Sequence, residues 1–146
     1  MDLVLNNLFI GNAGDAKSPD VLYKNGICSV FNVALDLNYD LSKLGVAFAD
    51  QYHVGLTDGL NNPPELFYAA LFTLRGLMSK SHPILIHCHE GRSRSPTIVA
   101  TYMTLTQGGT IVENLAKLKT IRAKVAPEAG MIQFAEQCLP HLQKIW

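Results

Sequence analysis

The chain has 146 residues, 48% of them hydrophobic, with 12 basic and 12 acidic side chains. That supplies enough apolar material for one compact domain spanning residues 1–146, and no charge surplus that would point to nucleic acid or an anionic membrane. No stretch is apolar enough to span a bilayer, and the opening MDLVLNNLFIG lacks the basic start and long apolar run of a secretory signal, so a cytoplasmic location is expected.

The first segment, VLNNLFIG (4–11), predicts a small hairpin, because apolar residues flank an Asn-Asn pair that tolerates turn geometry. SPDVLYKNG (18–26) predicts a short helix with Ser18 as N-cap, Pro19 at the first helical position and Gly26 as the stop. ICSVFNV (27–33) is rich in β-branched and aromatic residues and reads as a strand. Residues 35–49 read as loop with one helical turn, and DQYHVGL (50–56) as a second core strand. TDGLNNPP (57–64) has a loop's composition. From Pro64 to Lys80, Leu66, Phe67, Ala70, Leu71, Leu74, Leu77 and Met78 recur at helical spacing. HPILIHC (82–88) is a short buried strand, and Ser95–Thr106 a helix apolar on most faces. Thr110 and Glu113 form a capping box that opens a helix to about Arg122. After the break at Pro127, Met131, Phe134, Ala135, Cys138 and Leu142 predict one or two final helices.

Strands that alternate with helices predict an α/β fold: a mostly parallel central sheet flanked by helices on both faces. Ligands in such folds sit at the carboxyl ends of the strands, where Cys88 falls between a strand and a helix. The segment there is IHCHEGRSRSP (86–96). A tight turn from strand into helix points the backbone amides of His89, Glu90, Gly91, Arg92, Ser93 and Arg94 inward, where they cradle a tetrahedral anion. Gly91 permits backbone geometry that a side chain resists. Arg94 opens the helix and can grip two phosphate oxygens with its planar fork. The same field holds the Cys88 thiol below its ordinary pKa, which makes it a nucleophilic thiolate at neutral pH.

HCHEGRSRS resembles the His-Cys-x-x-Gly-x-x-Arg-Ser/Thr signature of the protein tyrosine phosphatase superfamily. Its Ser-Arg-Ser ending is most similar to the dual-specificity phosphatases. LFIGNAGDA (8–16) and NGICSVFNVA (25–34) are similar to that family's opening segment and first core strand. The small, atypical members are the nearest in kind, since the chain leaves no room for a separate docking domain. The resemblance implies a general acid on a mobile loop about thirty residues before the cysteine, which Asp58 matches. Asp50 and Glu65 fit worse, because they begin a strand and a helix. Ser95 is placed to donate its hydroxyl to the Cys88 sulfur, and His87 to fix the loop backbone. The implied function is hydrolysis of phosphotyrosine and phosphoserine or phosphothreonine in proteins. Cys88 attacks phosphorus while Asp58 protonates the leaving oxygen, and water then releases phosphate with Asp58 as base. No cofactor and no metal is called for.

Other readings stand beside this one. Phosphoinositides, phospholipids, glucans or RNA 5′ phosphates are alternative substrates, and a non-catalytic phosphate-binding module is a further alternative. Glu90 and the balanced charge favour a phosphoprotein partner, a monomer, and no nucleic acid. Arg92 either faces an anionic substrate or is merely solvated. His87 and His89 alternate along the chain and lack a second ligand cluster, so they do not make a metal site. Cys28 reads as a packed core thiol, and a disulfide with Cys88 is not expected. Trp146 either packs on the domain or meets a partner. Glu128 stands where many relatives have Asn after Pro127, which leaves open any contact made by that asparagine.

Overall fold

The computed structural model describes residues 1–146. β1 (Asp2–Leu5) and β2 (Leu8–Gly11) form the expected antiparallel hairpin. Asn7 turns it at φ 63°, a left-handed conformation that asparagine tolerates better than most residues. A single turn, α1 (Ala13–Ala16), follows; it was not anticipated, although Asn12 and Asp15 form a reciprocal capping box that starts it. α2 (Pro19–Lys24) begins as read: Ser18 accepts from the Val21 amide and Pro19 takes the first position. β3 (Ser29–Ala34) leads to a helical turn at Leu41–Leu44 inside the long connection.

The sheet order is β1-β2-β5-β3-β4, where β4 is Asp50–Leu56 and β5 is Ile84–His87. Every pairing except β1–β2 is parallel. In the two central strands every side chain is buried, as a sheet covered on both faces requires. Alternation then sorts them. Phe31, Val33, Ile84 and Ile86 join the large core under α3 (Pro64–Met78), α4 (Arg94–Gln107), α5 (Ile111–Ile121) and α6 (Ala129–Ile145). Val30 and Leu85 point the other way and pack with Ala16, Leu22 and Leu41. Cys88 shares the parity of Ile84 and Ile86, so it faces the α4 side.

Two expectations change, and one open alternative is decided. β4 is not a core strand but the free edge of the sheet, and only Leu56 within it is buried. Its Asp50, Gln51 and His53 could not be buried on two faces without partners. Cys28 lies just ahead of β3, is only half-buried, and sends its thiol to the Gly26 carbonyl at 3.4 Å. It stands opposite Pro83 at one end of the sheet while Cys88 stands at the other, about 15 Å of strand away, so the two thiols cannot bridge. Trp146 packs on the domain: its ring meets Phe72, and the Arg75 guanidinium lies 4.8 Å above it. No helix is long and apolar enough to cross a membrane.

α4 runs through the middle of the large core, and ten of its fourteen residues are buried. It carries three threonines there without orphaning a hydroxyl. Thr97, Thr101 and Thr104 each donate to the carbonyl four residues back, at 2.7, 2.8 and 2.9 Å. This fixes the helix whose first turn faces the sulfur.

Candidate active site

The turn between β5 and α4 is shaped from outside. The Cys88 carbonyl accepts from His87 Nδ1 at 2.9 Å and the His89 carbonyl from the Ala13 amide at 2.8 Å. Arg122 takes the next two: its Nη2 donates to the Glu90 carbonyl and its Nε to the Gly91 carbonyl, both at 2.9 Å. The Arg92 carbonyl accepts from the Ala126 amide at 3.0 Å, and that of Ser93 from Thr97. Six successive carbonyls are thus drawn outward. No amide from residue 89 to residue 95 donates to an oxygen of the chain. A peptide unit whose C=O points out points its N–H in, so these amides converge on one spot. Gly91 is required twice over. It sits at φ 65°, and a Cβ there would stand 2.3 Å from the Gly11 carbonyl oxygen.

At that spot lies the Cys88 sulfur, with the Ser95 hydroxyl 3.3 Å away. Burial pushes the thiol's pKa up. The Ser95 hydroxyl, the amides of Ser95 and Gly91 and the Arg94 charge outweigh it, and the thiol is held below its ordinary value. The sulfur lies in a pocket of about 390 Å³ whose other walls are Asp36, Asp58 and loop residues 89, 90 and 92–94.

Arg94 is almost wholly buried, and its Nη1 donates to Asp36 Oδ1 at 2.8 Å and to the Leu56 carbonyl at 2.9 Å. Asp36 also meets His89 Nε2 at 3.1 Å, and the Arg94 guanidinium holds its carboxyl below the usual carboxylate range. Asp58 reaches the pocket from the loop after β4. The Ser93 hydroxyl donates to its Oδ1 at 2.5 Å, and the Glu128 amide donates to the Ser93 oxygen at 3.0 Å. The Asn62 side chain staples this loop, accepting from the Thr57 amide and donating to the Thr57 and Gly59 carbonyls. Glu128 uses its backbone here, which any residue at that position supplies. Its carboxylate takes Arg92 at 2.8 Å in an ion pair whose side chains are 43% and 53% exposed, at the wall of the pocket.

His87 anchors the loop from beneath. Burial pushes its pKa down to about 4, so the ring is neutral at pH 7. Nδ1–H donates to the Cys88 carbonyl, which leaves Nε2 to accept from the Tyr39 hydroxyl at 2.6 Å. A histidine that resists protonation when folded destabilises the fold as pH drops, because the unfolded chain binds the proton first. Its contribution is intact above pH 6.5 and lost progressively toward pH 4. Urea titrations across this window should show wild type losing about 3 kcal/mol more stability than His87→Gln. Equal losses in the two proteins would remove His87 as the cause.

The structure gathers Cys88, Asp58, Arg94, Ser95 and residues 89–93 around one pocket and puts His87 beneath it. The two histidine rings point apart, one to Tyr39 and one to Asp36, and no three His, Cys, Asp or Glu side chains form a cluster that could hold a metal ion. Asp36, Tyr39 and Arg122 were missed in the sequence. Asp36 alone left a signal: it follows β3 by two residues, and β3 lies beside β5 in a parallel sheet, so both strands deliver their next residues to the same edge. Tyr39 and Arg122 carried none.

Residues 8–137 match the family model described as dual specificity phosphatase, catalytic domain. Dual specificity protein phosphatase 22-A of Danio rerio is 31% identical over 137 residues, which cover 91% of this chain and 62% of that protein. Dual specificity protein phosphatase PHS1 of Arabidopsis thaliana is 27% identical over 152 residues, covering 99% of this chain and 16% of that protein. The chain therefore spans less than two thirds of the length of these curated relatives. In fold, the crystal structure of human DUSP28 superposes with a TM-score of 0.83 at 18% identity, covering 100% of both chains. Fold, loop and match over nearly the whole sequence agree, and the chain belongs to the dual specificity phosphatase catalytic domain family.

Proposed function

We propose that this chain hydrolyses phosphate monoesters of proteins, on tyrosine and on serine or threonine, through a phosphocysteine formed on Cys88. The observation that carries this reading is the convergence of a thiol held below its ordinary pKa, six inward amides, a guanidinium and a carboxylate on one pocket. In the first step the Cys88 thiolate attacks phosphorus. The bond to the ester oxygen breaks, and Asp58 gives that oxygen its proton. In the second step water attacks phosphorus and passes a proton to the Asp58 carboxylate. The sulfur–phosphorus bond breaks, and the Ser95 hydroxyl receives the returning thiolate by hydrogen bond. Charge on the phosphoryl oxygens is met throughout by the amides of residues 89–94 and by Arg94.

A phosphoprotein fits this mouth better than a polyanionic lipid or sugar. The exposed Glu90 adds negative charge at the rim, beside a half-exposed Glu128. The test is p-nitrophenyl phosphate with EDTA present, followed by matched phosphotyrosine and phosphothreonine peptides, for wild type and Cys88→Ser. Wild type should cleave all three and Cys88→Ser none. Aryl phosphate cleaved with both peptides ignored would move the substrate to lipids or sugars. Tungstate bound with nothing cleaved would make the chain a phosphate-binding module.

A further inference from the structure

We infer that Asp36 is a positioning residue for the phosphate, acting through Arg94; the inference rests on the phosphatase reading above. A guanidinium has five N–H groups in a fixed plane. Arg94 commits only Nη1 within the chain, to Asp36 Oδ1 and the Leu56 carbonyl. Its Nε and Nη2 make no hydrogen bond to the protein, and they form the edge that meets two phosphate oxygens side by side. Anchoring one corner of a planar fork decides where that edge points. Asp36 is itself held, since its second oxygen meets His89 Nε2 at 3.1 Å, so loop and arginine are set by the same carboxylate.

A carboxylate beside a bound dianion also repels it, so two effects of opposite sign compete. The Asp36 side chain is 65% exposed, and solvent screens its long-range field. The hydrogen bond to Arg94 acts at contact, 2.8 Å from a donor only 9% exposed, whereas the repulsion acts over the longer distance beyond the guanidinium. Orientation therefore outweighs repulsion. Its role follows from the carboxylate's acceptor oxygen rather than from its charge.

Two substitutions separate these contributions. Asp36→Ala removes the acceptor. Asp36→Asn keeps an oxygen for Arg94 and turns its NH₂ to His89. Each is made in the full chain with Arg94 and with Arg94→Lys. Tungstate affinity by calorimetry and kcat/KM on p-nitrophenyl phosphate are the readouts, with thermal melting as the check on folding. Asp36→Ala should weaken both about 10- to 30-fold, the worth of a hydrogen bond to a charged group. Asp36→Asn should stay within about threefold of wild type, and in the Arg94→Lys background Asp36→Ala should add less than about twofold. Tighter tungstate binding by Asp36→Ala would make the carboxylate a competitor of phosphate and overturn the inference. An undiminished loss in Arg94→Lys, or an Asn variant as poor as Ala, would overturn it as well. If wild type binds tungstate without cleaving ester, the phosphatase reading fails while the affinity cycle still decides the role of Asp36.

Discussion

Asp58→Asn should lower kcat/KM, which reports the step in which the ester bond breaks, by about 10²- to 10⁴-fold on a phosphoserine peptide and cost far less on p-nitrophenyl phosphate. The reason lies in the leaving oxygen. Nitrophenolate departs unaided at neutral pH, whereas the alkoxide of serine needs a proton as its bond breaks. Asparagine has the size of aspartate and keeps an oxygen for the Ser93 hydroxyl, so the loop stays stapled to the phosphate cradle. Tungstate affinity should therefore hold, because the amides, Arg94 and Cys88 are untouched. A series of aryl phosphates of graded leaving-group pKa, assayed on both proteins, makes the comparison. A loss of equal size across the series would assign Asp58 a structural role and leave the proton donor unidentified.

Arg122→Ala should cost about 2–4 kcal/mol of stability and abolish phosphate binding. Arg122 is 4% exposed, and its guanidinium divides itself among three acceptors: the carbonyls of Glu90 and Gly91 and the Asp2 carboxylate at 2.7 Å. Truncation orphans the buried Gly91 carbonyl and the partly buried Glu90 carbonyl at the turn whose amides point into the pocket. Nothing else then holds those two peptide planes, and either can rotate its N–H out of the pocket. Asp2→Asn is the control. Asp2 is 40% exposed, so losing the charge there should cost no more than about 1 kcal/mol, with the two loop contacts retained. Calorimetric melting and tungstate titration of the two variants test this. Arg122→Ala melting near wild type would show that the turn holds its shape without the arginine.

The sequence made one half of this site legible. Cys88, Gly91, Arg94 and Ser95 lie within eight residues, where spacing and chemistry can be read together, and Asp58 stands at a fixed distance in a loop of recognisable composition. The supporting half is made by pairs far apart in the chain. Asp36 reaches Arg94 across 58 residues, Tyr39 reaches His87 across 48, and Arg122 reaches Gly91 across 31. No local pattern announces such a partner. The fold divides in the same way. Helix starts at Ser18, Thr110 and Pro64 follow from capping and proline chemistry that acts over four residues. Whether DQYHVGL is central or an edge depends on whether a further strand pairs with the side of β4 that β3 leaves open, a tertiary fact. Its polar residues weighed against a central place. Pro140 is the opposite case: it lies inside α6 without ending it, because the packed stripe from Met131 to Leu142 outweighs one lost backbone bond.

β5 is hydrogen-bonded on both sides, by β2 and by β3, and all four of its side chains are buried. Its amides can exchange with solvent only when the whole domain opens. The Cys88 sulfur is mounted at the end of that strand, so its surroundings last as long as the native state itself. Asp58 rides an exposed segment tied down by Asn62 and Ser93, whose opening breaks a few side-chain bonds and no core. Opening there is a local event with a much smaller free energy. Cys88 and Asp58 therefore belong to different cooperative units, one as durable as the fold and one able to fluctuate many times within its lifetime.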